Sequence, residues 1–145
     1  MANEQNERVV RYQFEEAWSK GNLDAIDETV AENAVGYDPA FPDPQRGPQA
    51  VKDVITTYRT AFPDLRFALD DMISDGDKVV TRWSTTGTND GELQGMPATG
   101  RSVTGSGITI DRFESGKIVE SWTQWDNFGL LQQLGIGETA GAAAG

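Results

Sequence analysis

At Phe62-Pro63-Asp64 the spacing of apolar residues changes from helical to alternating, and it does not change back until Asp126. Before that point Val9, Val10, Phe14, Ala17 and Trp18 recur close to helical spacing, and so do Val51, Val54, Ile55 and Tyr58. After it Leu65, Phe67 and Leu69 alternate with mostly polar neighbours, and Val79, Thr81, Trp83 and Thr85 repeat the pattern. Such a chain can bury both kinds of apolar face by laying its helices on one side of an antiparallel sheet. The expected fold is therefore α+β. It has a cone-shaped, curved antiparallel sheet wrapped by N-terminal helices, with an internal pocket between the layers.

The punctuation agrees. The spacing predicts a helix over 4–20 stopped by Gly21, and a short second helix capped by Asn22, with Leu23, Ile26 and Val30 on one side. It predicts a third over 48–62 opened by Pro48. The stretch 32–38 is a candidate strand, and Pro39, Pro42 and Pro44 make 39–47 a loop. Four long strands follow, turning at Asp75-Gly76-Asp77, through a glycine-rich connection over 89–100, and at Glu114-Ser115-Gly116. Gly105 and Gly107 are candidate kinks in the third, and a helix over 127–134 ends the pattern.

A chain of 145 residues suits one domain, here 1–136, followed by a small-residue tail over 137–145 expected to be mobile. The 23 acidic and 12 basic residues leave a net charge of −11, which argues against nucleic acid and anionic membrane surfaces as partners. The balance fits either an ordinary acidic cytoplasmic protein or one working in concentrated salt. No apolar run approaches the ~20 residues of a membrane span, and a signal-peptide core is missing, so a cytoplasmic location is expected. Cysteine and histidine are both absent. That removes thiol chemistry, Ser-His triads and His-ligated metals, and leaves acid/base work to carboxylates, tyrosines or lysines.

The richest stretch is 116–135, a strand running into a helix. Strict alternation puts Ile118, Glu120, Trp122, Gln124 and Asp126 on one face and Val119, Ser121, Thr123 and Trp125 on the other. Asp126 at the strand end, against tryptophan, is either a candidate acid/base or the N-cap of the helix that follows. If Trp122 and Asp126 point inward, Val119, Thr123 and Trp125 lie on the open sheet face, where they would build a homodimer.

Three stretches, Phe62-Pro63-Asp64, Gly87 to Thr104 and Arg112 to Gly135, together resemble the SnoaL-like polyketide cyclase, or ester cyclase, family. The similarity runs in register from about Trp18 to Gly135. It implies the cone shared by nuclear transport factor 2 and ketosteroid isomerase, and ring closure by intramolecular aldol condensation without metal or cofactor. Asp126 matches the family's acid/base. Tyr37 and Asn89 stand where members often have His; each can hydrogen-bond an enolate oxygen but lacks a cationic ring. The expected site is thus Asp126 as catalyst, with Tyr37, Asn89, Trp18, Trp83 and Trp122 around a small apolar molecule, and no metal. Two other readings stay open. One is a non-catalytic small-molecule-binding or dimerisation module of the same fold. The other is an epoxide-opening hydrolase, which needs a second close carboxylate such as Asp38 or Glu120 facing the pocket. Arg82 and Arg112 read as partners of surface carboxylates, and Asp75 and Asp77 as turn residues.

Overall fold

The four long strands form where alternation places them: β3 Arg66–Asp75, β4 Lys78–Thr88, β5 Ser102–Glu114 and β6 Lys117–Trp125. The structure, a computed structural model, describes residues 1–135. The tail expected over 137–145 lies outside the described residues. Helix α1, Glu4–Gln13, is capped by the Asn3 side chain accepting from Asn6 N. It widens into a π-helical segment, Phe14–Ser19. Helix α2 is Asp24–Thr29, with no side-chain cap, so the expected Asn22 cap is corrected. Val30 leaves that helix and opens β1, Val30–Tyr37. Strand β2, Gln45–Arg46, and helices α3, Gly47–Ala61, and α4, Asn127–Gln133, complete the fold.

The sheet is curved and unclosed, in the order β2-β1-β6-β5-β4-β3. The meander is thus extended by two strands, and β1 runs parallel to β6. This topology brings the C-terminal ends of β1, β4 and β6 together with the start of β5 at one end of the cone.

One irregularity decides which side chains face inward. Phe113 pairs with Ile118 but Arg112 pairs with Glu120, so Val119 is an extra residue in β6. Such a bulge reverses the alternation beyond it. Ile118 and Val119 are both buried. Past the bulge Ser121, Thr123 and Trp125 face the interior. Trp122 pairs with Ile110 and stacks on the Tyr37 ring, with 6.4 Å between centroids. The expected assignment of faces is therefore reversed from Glu120 onward: Trp122 lies outside, and the open face is not built from Val119, Thr123 and Trp125.

Apolar burial falls into three clusters, and Trp18 packs against all of them. Gly107 is required by close approach of its neighbours. A Cβ there would come within 2.5 Å of Trp83 Cζ2 and 2.7 Å of both Gln124 O and Trp125 Cβ.

Candidate active site

Between the concave sheet face and the helices lies a cavity of ≈ 180 Å³. Its wall is aromatic, with Trp18 and Phe67 at 5.2 Å and Phe67 and Trp83 at 5.1 Å between ring centroids. Tyr58 meets Trp125 edge-on at 5.9 Å. The exposed lining residues are Tyr37, Thr86 and Thr104, all at the end of the cone where β1, β4 and β6 finish. That end is the mouth. At the other end Gln13, Val30, Asp111 and Ile118 are buried and form the floor.

Two carboxylates stand at the mouth. Asp38 follows β1 and lines the wall. Its Oδ1 accepts from Trp125 Nε1 at 2.9 Å and from Ala40 N at 2.8 Å. Burial, helped by the Asp38 charge, holds the Tyr58 phenol well above its ordinary value, so it remains a neutral donor. Asp126 follows β6 directly after Trp125. It is exposed and does not line the cavity; its Oδ1 accepts from Gly129 N at 2.8 Å and caps α4. One turn further along the same helix, Leu130 does line the cavity.

The remaining expected site residues divide. Trp18 and Trp83 line the cavity, and Trp83 Nε1 is anchored on Thr109 Oγ1 at 3.0 Å. Tyr37 borders the mouth with its ring turned to Trp122. Trp122 itself is outside. Asn89, 1% exposed, is consumed in holding the glycine-rich connection. It donates to Ala61 O and Gly91 O and accepts from Thr99 N and Oγ1. That places Asn89 in the scaffold and outside the cavity lining. Glu120 pairs with Arg112 at 2.6 Å and is not part of the cavity lining.

Asp111 is the group that sequence reasoning passed over. It lies on the inward face of β5 between Val79 and Ser121, 2% exposed, and its Oδ2 has no partner. Burial pushes its carboxyl up to about 7, with the Ser121 hydroxyl pulling it partly back. A signal was present, because Asp111 shares strand parity with Val103, Thr109 and Phe113.

The chain is thus a cone-shaped α+β domain with an aromatic cavity and carboxylates at its mouth. The description "SnoaL-like polyketide cyclase" matches residues 8–134, and the chain belongs to that family. Two relatives are aklanonic acid methyl ester cyclases. DauD of Streptomyces sp. (strain C5) is 30% identical over 83% of this chain and 76% of its own length. DnrD of Streptomyces peucetius is 30% identical over 83% and 84%. Among solved structures, wild-type IdmH from Streptomyces antibioticus superposes with a TM-score of 0.79 at 32% identity, covering 90% of this chain and 99% of that one.

Proposed function

We propose that this chain is a cofactor-free, cyclase-type enzyme that closes a ring in an apolar, polyketide-like carbonyl compound. The reading is carried by the meeting, at one end of the cone, of an aromatic cavity with two carboxylates that follow neighbouring parallel strands. Aldol closure starts with removal of a proton alpha to a carbonyl. The resulting enolate attacks a second carbonyl, and the new alkoxide takes the proton back, so one acid/base residue serves both steps. Asp126 takes that role: the Gly129 amide fixes Oδ1, and Oδ2 is left for the substrate's outer end. Tyr58 donates a hydrogen bond to the enolate oxygen. A second reading gives the proton transfer to Asp38, favoured because Asp38 lines the wall and is oriented by the Trp125 indole.

The test is incubation with aklanonic acid methyl ester, the compound for which DauD and DnrD are named, in buffer containing a chelator. An isomeric product of unchanged mass with one more ring is expected. Unchanged starting material would contradict this substrate class.

The same reading pairs two copies of the chain through the outer sheet face. Ile73, Val80, Ile110, Trp122 and Tyr37 stand opposite one another in a single row across five strands. Ile73 is 63% exposed and Ile108 beside the row is 47% exposed. An apolar row of this length on an outer face favours self-association. No helix among the described residues is long and apolar enough to cross a membrane.

A further inference from the structure

The floor of the cavity holds a feature that ring closure at the mouth does not use. From Ser121, the β6 neighbour of Asp111, to Trp125 at the mouth is four residues, or about 13 Å of strand. A proton donor or acceptor at Asp111 is therefore too far from Asp126 to share its chemistry. Yet Asp111 lines the cavity, is almost wholly buried, and presents an oxygen with no partner. The Ser121 hydroxyl hydrogen-bonds the carboxyl, but no neighbouring group satisfies Oδ2. Thr109 Oγ1 already accepts from Trp83 and shares a hydrogen bond with Thr123, and Gln13 Nε2 donates to Thr29. On β4 the Thr81 hydroxyl, wholly buried on the same face, is likewise without a partner. The other neighbours at this end are apolar: Val10 and Phe14 from the first helix, Val79 from β4, Phe113 from β5 and Ile118 from β6. Leaving a buried polar atom unmatched costs free energy, so a bound group that supplies the missing hydrogen bond is favoured there.

We propose that the cavity floor is a hydrogen-bonding subsite in which Asp111 receives a hydroxyl group, alcoholic or phenolic, at the leading end of an otherwise apolar ligand. A hydroxyl is the matching group because it both donates and accepts, and so pairs with the carboxyl whether or not that carries its proton. The aromatic walls set by Trp18, Phe67 and Trp83 then hold the ligand body, and its reacting end is left at the mouth. The subsite rests on the cavity being the substrate site. It adds orientation: the hydroxylated end goes in first.

The experiment compares 2-naphthol with naphthalene by equilibrium dialysis against wild type, Asp111→Asn and Asp111→Leu. Wild type is expected to bind the naphthol about tenfold more tightly than the hydrocarbon, the size of one hydrogen bond to a charged or strongly polar group. Asp111→Leu should lose that preference while still binding naphthalene. Asp111→Asn, which keeps the shape and a hydrogen-bonding amide, should retain part of it and shows that the site tolerates substitution. Equal binding of both probes by wild type, or an undiminished preference in Asp111→Leu, overturns the subsite and leaves the cavity reading intact. If wild type binds neither probe, the cavity is not a site for apolar rings, and both readings fall.

Discussion

The mouth and the floor of one cavity both carry carboxylates, and the protein treats them in opposite ways. At the mouth, Asp38 receives the Trp125 indole and the Ala40 amide, and Asp126 receives the Gly129 amide. At the floor, Asp111 lies among mostly apolar side chains, meets only the Ser121 hydroxyl and keeps a bare oxygen. Donated hydrogen bonds orient the first two at little cost, whereas the third is held mainly by packing and is left short of partners. Groups oriented at an accessible rim suit proton transfer to a substrate. A group short of partners in a closed floor suits recognition, because the ligand supplies what the fold withholds.

The contrast is most exposed to pH. The folded carboxyl of Asp111 sits at about 7, above its ordinary value of 3.8, so between the two the folded state binds more protons than the unfolded chain. The stability tied to Asp111 is therefore fully present below the ordinary value and is lost as pH rises through about 7. Denaturant unfolding across that window should show wild type falling relative to Asp111→Asn; parallel curves would mean the floor is not dry. A smaller effect is expected at the mouth. Asp126→Ala should lose about 1 kcal/mol of stability through the helix cap, and Asp126→Asn almost none, since Asn caps about as well. Equal losses in urea titrations would show that the carboxylate charge, and not the cap, matters there. The smallest effect on the cavity should come from its outer side. Ile108→Glu is expected to shift sedimentation from dimer to monomer while leaving naphthalene binding unchanged. A wild-type chain that sediments as a monomer at high micromolar concentration would contradict the pairing.

Much of this architecture is legible in the residues. The switch of period at Phe62-Pro63-Asp64, the glycine turns and the helix-opening Pro48 act locally, and the elements formed there follow them closely. The orientation of β6 is not legible, because Ile118-Val119 is an apolar pair that fits a regular strand or a bulge equally well. Only the pairing with Arg112 and Phe113 selects the bulge, and that single residue exchanges the faces of Trp122 and Trp125. Asn89 is misread for a related reason. The resemblance sets it where members often have His, but four hydrogen bonds to the Ala61 and Gly91 carbonyls and to Thr99 consume it. Asp111 could have been found from parity alone, as a carboxylate in register with Val103 and Phe113.

The most direct test of proton transfer at the mouth is turnover of a ring-closing substrate by Asp126→Asn and Asp38→Asn, measured side by side with wild type. Each change keeps shape and polarity and removes only the proton-accepting charge. Turnover by Asp126→Asn is expected to fall by about 100-fold or more, the scale of general acid/base catalysis. Asp38→Asn should fall by much less, with its loss mainly in substrate affinity. Full activity in Asp126→Asn beside a collapse in Asp38→Asn would contradict the assignment and move the acid/base to the cavity wall.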